Sequence, residues 1–243
     1  MNRILRMEWT KLRTDPGTRW SALALIGGTV AASALACATA DALHCAPRPC
    51  TVDATRISLT GVYLGQIPAV VLAILAVGNE YDSMMIRTTL AASPRRTALV
   101  VAKAAVTTAV VLAASAVALA ATLAAARFIL PARGFTPVNG YPALLSLADS
   151  ATRHAYLKTV LYTGLVALLG LGLALIARHT GAAVTTTLGL LYVAPIVALL
   201  VTDPLWTERI RRYAPMTADL RVLAIYSGGA LVVGTILLWR RDV

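Results

Sequence analysis

The sequence predicts an all-α integral membrane protein, in which an N-terminal amphipathic helix in the interface precedes about six transmembrane helices. Three observations carry this expectation. Of 243 residues, 58% are hydrophobic and only 14% charged, against roughly 25% charged in an ordinary soluble domain. Mean hydropathy is +0.73. The charges are clustered, so they leave uncharged runs of about 20 residues, enough to cross a bilayer core of ~30 Å as a helix. Those runs must be helical, because lipid offers no partner to a free backbone N–H or C=O. A soluble bundle would need polar faces recurring every few residues, and the runs lack them.

The net charge is +11. In a soluble protein such a balance would point to nucleic acid. Here the basic residues stand at the ends of apolar runs, where they anchor helices and meet anionic headgroups. Membrane lipid is therefore an expected partner and nucleic acid is not.

Residues 1–16 form the predicted interfacial helix. At 100° per residue Ile4, Leu5, Trp9 and Leu12 share one face, while Arg3, Arg6, Thr10 and Arg13 share the other. The apolar side belongs in the acyl boundary and the arginines toward phosphates. Glu8 interrupts the apolar side and could pair with Lys11 or an arginine at its edge. Asp15-Pro16-Gly17 breaks the helix.

Spans are expected at about 20–40, 57–78, 101–125, 159–177, 182–201 and 222–239 in one transmembrane domain covering residues 1–243. Gly61-x-x-x-Gly65 in the second permits close helix approach, and Pro68 should kink it. The third is alanine-rich and suits tight packing. Thr185, Thr186 and Thr187 in the fifth are candidates to line a pathway, although hydroxyls in spans more often bond neighbouring helices. An even number of spans puts both termini on one side. The basic residues of the first two inner segments outnumber those of the first outer loop by nine to two, which predicts that both termini are cytoplasmic. Residues 202–221 are then an extracytoplasmic segment, either lying along the interface with Trp206 at headgroup level or forming a solvated loop with incidental apolar residues.

That orientation places Cys45-Ala-Pro-Arg-Pro-Cys50 outside. A disulfide between Cys45 and Cys50 is one reading and fits an oxidising compartment. Free thiols and a soft-metal site with His44 are the others. Elsewhere no metal site is predicted. No G-x-x-x-x-G-K-[ST], H-E-x-x-H or G-x-S-x-G motif occurs, so no catalytic residue is predicted and the chain binds no ATP through a P-loop of its own. No Asp, Glu or Lys falls near the middle of a predicted span, where a proton- or ion-coupled carrier usually places one. Any energy input is expected from a partner.

Residues 79–96 carry the most information. Asn79 is a good N-cap for a short cytoplasmic helix, with Glu80 and Asp82 at the positive end of its dipole and Ser93-Pro94 as its stop. Tyr81, Met85, Ile86 and Leu90 would give it an apolar edge, beside Arg87. Such a helix, held between two spans, can receive a push from a soluble partner or can lie on the surface and merely connect the spans, and periodicity alone does not choose between them.

Here the sequence resembles the permease subunits of type-2 ABC transporters, in particular actinobacterial ones. Glu8-Trp9-Thr10-Lys11-Leu12-Arg13 is similar to the E-x-x-K-L signature of that family's first amphipathic helix. Glu80-Tyr81, Ile86-Arg87-Thr88-Thr89-Leu90, Pro94-Arg95-Arg96 and Lys103 resemble its G-x-E-Y-x-x-G-T-I-R-T-T-L…P-x-R…K stretch. Arg211-Arg212-Tyr213-Ala214-Pro215 and Trp239-Arg240-Arg241-Asp242 continue the likeness to the carboxyl end. Met84 and Met85 stand where the family usually has Gly-Thr, and two thioethers make a bulkier, adaptable surface.

The resemblance implies a type-2 ABC exporter transmembrane fold in a bacterial plasma membrane, built as a dimer with a second permease copy or a homologous permease. It implies that Glu80, Tyr81, Asp82, Met84, Met85, Ile86, Arg87 and Leu90 dock on a separate ABC ATP-binding subunit. That partner binds ATP and Mg²⁺, and this chain holds no cofactor. The activity implied is ATP-driven export of a substrate. The alternative is a non-translocating membrane partner of an ABC ATPase, acting in immunity, sensing or assembly.

Overall fold

The computed structural model describes residues 2–40, 53–82, 96–136, 146, 148–201, 203–216 and 219–241. Among them are nine α-helices and no strand. They are α1 (Asn2–Thr14), α2 (Pro16–Thr39), α3 (Ala54–Ser58), α4 (Val62–Asp82), α5 (Arg96–Ala132), α6 (Ser150–Ala177), α7 (Thr180–Leu200), α8 (Pro204–Tyr213) and α9 (Leu220–Arg241). Six stretches are long and apolar enough to cross a membrane, namely α2, α3 with α4, α5, α6, α7 and α9. The chain is thus an all-α membrane protein with multiple spans.

Local signals explain the helix starts. Pro16 stands in the first turn of α2, where its missing N–H costs nothing. Asp15 caps that helix, accepting from the Thr18 N–H at 2.9 Å. Asp149 caps α6 in the same way, taking the Thr152 N–H at 3.0 Å. Asp53 caps α3 through the Thr55 N–H. Each carboxylate satisfies a donor that the helix leaves orphaned and sits at the positive end of its dipole.

Helices α4 and α6 form the centre. Ala69, Val70, Leu72, Ala73 and Ile74 of α4 and Val166, Ala167, Leu169 and Leu171 of α6 are buried. Helix α4 packs on α2, α6 and α7, and α6 packs on α4, α5, α7 and most extensively on α9. Helices α2, α7 and α9 turn large apolar side chains outward, including Leu23, Leu35, Leu190, Val193, Val233 and Ile236. In water that surface would be an aggregation hazard, whereas toward acyl chains it costs nothing.

The approach of α2 to α4 rests on small residues, as the Gly61-x-x-x-Gly65 pattern predicts. A Cβ at Gly61 would collide with the Thr29 carbonyl and Ser33, and one at Gly65 would collide with the Thr29 side chain. The freed space is used: the Gly61 N–H donates to Ser33 Oγ at 3.1 Å. Thr18, Ser21, Thr29 and Ser33 are all buried along this face of α2. In place of a hydrophobic drive that lipid cannot supply, such contacts hold membrane helices together by van der Waals fit.

Several expected boundaries are corrected. The second span is not one helix from 57 to 78, because turns at residues 59–61 separate α3 from α4. The Gly61 N–H goes to Ser33 there, so the interruption leaves no orphan donor. Nor does α4 end at Gly78. It runs on through Asn79 to Asp82, so Asn79 lies inside a helix and caps none. Helix α5 starts earlier and ends later than 101–125, and α6 starts at Ser150, nine residues ahead of the expected 159. Cys45, Cys50, Met84, Met85, Ile86, Arg87 and Leu90 lie outside the described residues, as does most of the 79–96 segment.

Valine at Gly61 should lower stability in detergent by at least about 3 kcal/mol, above the usual cost of overpacking because backbone as well as side chain is in the way. Valine at Gly28, which faces open space on α2, should stay within roughly 0.5 kcal/mol. Equal thermal denaturation midpoints for the two variants would overturn the α2–α4 contact.

Candidate functional site

Four charged side chains from three separate helices meet at one end of the bundle. Lys103 lies two turns into α5 and is buried, at 5% exposure. Its Nζ donates to Glu8 Oε2 of α1 at 2.8 Å, to Glu80 Oε1 of α4 at 3.0 Å, and to the Ala76 carbonyl at 2.9 Å. All three ammonium donors are thereby used. Lys11 of α1 donates to the same Glu80 Oε1 at 2.8 Å and stands 3.7 Å from Glu8 Oε1. The formal charges sum to zero.

The chain holds only three lysines, Lys11, Lys103 and Lys158, and only three glutamates, Glu8, Glu80 and Glu208. Two of each converge here. Glu8 is 1% exposed, so an unpaired charge at that position would be prohibitively costly. Lys103 is what makes its burial tolerable, and the same ammonium closes an Ala76 carbonyl near the negative end of the α4 dipole. Lys11 differs, since its side chain keeps 36% exposure. Partial burial pulls its pKa down, but the hydrogen bond and charge of Glu80, with Glu8 behind, outweigh burial and raise it. The contribution of a raised amine is complete below the ordinary 10.5 and lost only as pH rises through the raised value. The Lys11 tie is therefore constant across the neutral range.

The inward face of α1 is consequently not the one expected. Leu12 is buried inside the protein, Glu8 lies at the centre of the buried strip and Trp9 is half exposed. Glu8 does pair with Lys11, yet its shorter contact is with Lys103, which no property of α1 could announce. The exposed Trp9, with Arg13 also on the open side, remains placed for the headgroup layer.

A second tie grips the adjacent residue of α4. The Arg178 guanidinium stands over the Tyr81 ring, 5.8 Å from its centroid, and donates through Nη2 to the Leu237 carbonyl of α9 at 3.3 Å. Arg178 closes α6 in the left-handed conformation, φ 56°, its N–H returning to the Ala174 carbonyl. Gly78 meets Thr180 of α7 so closely that it has no room for a Cβ. Arg178 is not among the residues that the sequence alone singles out. Its place at a sharp α6–α7 junction with no glycine was the available signal.

The last turns of α4 are thus bound to α1 and α5 through Glu80 and to α6 and α9 through Tyr81. The α4 backbone reaches Asp82, where the description stops. Of the candidate pathway threonines, Thr187 is buried and Thr185 and Thr186 are exposed on the bundle surface. The Thr185 and Thr187 hydroxyls donate to carbonyls of their own helix, at Gly181 and Ala183. Among the described residues no His, Cys, Asp and Glu cluster could hold a metal ion.

No protein-family model matches the sequence, and no curated protein matches it either.

Replacing Lys103 by methionine should cost about 3–5 kcal/mol, because Glu8 and part of Glu80 are left buried and uncompensated. Lys11→Ala should cost less than ~1 kcal/mol, as befits a half-exposed pair. The double variant E8Q/K103M should lose less than the sum of its single changes. Additive losses in denaturation experiments would show that the two groups are not paired. At Arg178, glycine should be the better substitute by about 1 kcal/mol, since alanine keeps the left-handed strain and restores no contact. Thermal midpoints with alanine above glycine would contradict that geometry.

Proposed function

We propose that the chain is the permease subunit of an ATP-driven type-2 ABC export system, lying in a bacterial plasma membrane with both termini cytoplasmic. In this reading two permeases form the translocation pathway, and a separate ATP-binding subunit docks on the segment that begins at Glu80. That partner, which binds ATP and Mg²⁺, supplies the chemistry. One observation carries the proposal: Glu8, Lys11, Glu80 and Lys103, which lie in two of the stretches that resemble the family, form one salt-bridged cluster.

The cluster also suggests a route for coupling. A push on the segment after Asp82 would act on the end of α4, which is held to α1 and α5 by charge and to α6 and α9 through Tyr81 and Arg178. Rigid ties of this kind let a local displacement move whole helices, because packed cores switch between arrangements and do not deform continuously. Nucleotide and substrate must each favour one arrangement for such a shift to do work.

Arg87 on the proposed coupling segment offers the test. Arg87→Glu, co-expressed with the ATPase that co-purifies with the chain, should insert normally and leave ATP hydrolysis running. Efflux should fall by about tenfold or more, equivalent to a coupling loss of ~1.4 kcal/mol. Unchanged efflux would overturn the coupling assignment. An ATPase that co-purifies but drives no transport into inverted vesicles would replace export with the non-translocating role.

A further inference from the structure

At the opposite end of the bundle from the four-charge cluster lies a cleft of about 680 Å³ between α3, the start of α4, the third turn of α6 and the start of α9. Its charged lining is mixed: Arg56 and Lys158 are cationic, Asp53 and Asp219 anionic. Its apolar lining includes Ile57, Val62, Met216 and Leu220. Tyr63 and Tyr162 complete the wall, Tyr162 being held from behind by its hydrogen bond to the buried Gln66 at 2.6 Å.

The charges of this cleft are free for a ligand. The other end of the bundle pairs its lysines with its carboxylates. Here, among the described residues, neither Arg56, Lys158 nor Asp219 engages in an ion pair or a side-chain hydrogen bond. Asp53 spends one oxygen on the Thr55 N–H and keeps the other.

Depth in the membrane says what that ligand is. Helix α6 has 28 residues, ~42 Å at 1.5 Å per residue, so it overshoots a ~30 Å core by about two turns. Counting back about twenty residues from Ala177 reaches Lys158, which therefore marks the core boundary. Helices α4 and α9, of 21 and 22 residues, each match one core thickness, which brings Val62 and Leu220 to the same level. Tyr63 stands where tyrosine is enriched, between acyl chain and water. A groove at this depth, with cations and anions at its mouth and an apolar wall, matches a phospholipid headgroup with the start of its chains.

We infer that the cleft lined by Arg56, Lys158, Asp53 and Asp219 is a binding site for a zwitterionic phospholipid. Arg56 and Lys158 take the phosphate, the arginine in a two-pronged bond and the lysine as a point charge. Asp53 and Asp219 take the ammonium, and the apolar wall takes the glycerol end of the acyl chains. The presence of both signs selects a zwitterion over a purely anionic lipid. Nothing in the inference depends on whether the chain exports anything.

The test is native mass spectrometry of the full chain extracted from vesicles containing equal parts phosphatidylethanolamine and phosphatidylglycerol. Wild type should retain phosphatidylethanolamine preferentially, by about tenfold. R56E/K158E should lose that retention, whereas Arg153→Glu, on the same helix but outside the cleft, should keep it. D53N/D219N, in which asparagine preserves the α3 cap, should shift preference toward phosphatidylglycerol. Millimolar inorganic phosphate should not displace the lipid. Equal retention of both lipids by wild type, retention unchanged in R56E/K158E, or displacement by phosphate alone would each overturn the inference. The wild-type selectivity needs no variant, so a misfolded double mutant does not shield it.

Discussion

A charge inside an apolar bundle must be neutralised where it lies, and in this protein that constraint fixes one whole end of the structure. Lys103 is the group on which it turns. It is buried in α5, and its three protons go to Glu8, Glu80 and a carbonyl of α4. Remove one of those acceptors and the ammonium loses part of its compensation; remove the ammonium and Glu8, with part of Glu80, is left buried and uncompensated. The position of α1 across the bundle, the length of α4 past Gly78 and the place where α5 enters the apolar layer are all consequences. None of them follows from the hydrophobicity of the segments concerned, which would let each slide or rotate at little cost.

The spans themselves were legible because their signal is additive: twenty residues without a charge can hardly be anything else. The Gly61 and Gly65 contact was legible because only close approach explains two glycines one turn apart in lipid. The ends of spans were not. Reading charges as markers of water set the second span's end at Gly78 and made Asn79 a cap, whereas Glu80 is drawn into the bundle by lysines 23 and 69 residues away. Likewise Glu8 looked like a flaw in an apolar face. Periodicity measures what a helix prefers alone, and the partner that makes Glu8 at home comes from another helix. The break at residues 59–61 was hidden for the same reason, since the hydroxyl that accepts the Gly61 N–H belongs to α2.

The two ends of the bundle spend their charges differently. At one end two lysines and two glutamates are consumed by one another, with Arg178 laid over Tyr81 beside them. At the other, Arg56, Lys158 and Asp219 border a cleft, and among the described residues their side chains have no ion-pair or hydrogen-bond partner. Internal pairing makes the first end a mechanical joint, because its geometry is set by short contacts that resist change. Unpaired charges make the second a receiving surface, because their desolvation is recovered only when something arrives.

A joint of this kind has a further property. Glu80 Oε1 accepts from Lys11 and Lys103 together, so α1 and α5 cannot both keep their contacts if α4 rotates by much. Small motions of α4 are therefore shared by all three helices, and a large one must exchange one set of partners for another. Lys11, half exposed on a long flexible stem, can follow such a rotation or be replaced by water at small cost. Lys103 cannot. The expected axis of any rearrangement is thus the Lys103–Glu8 contact, with α4 and the half-exposed Lys11 moving about it, and force applied beyond Asp82 would reach the bundle through Tyr81 and Glu80.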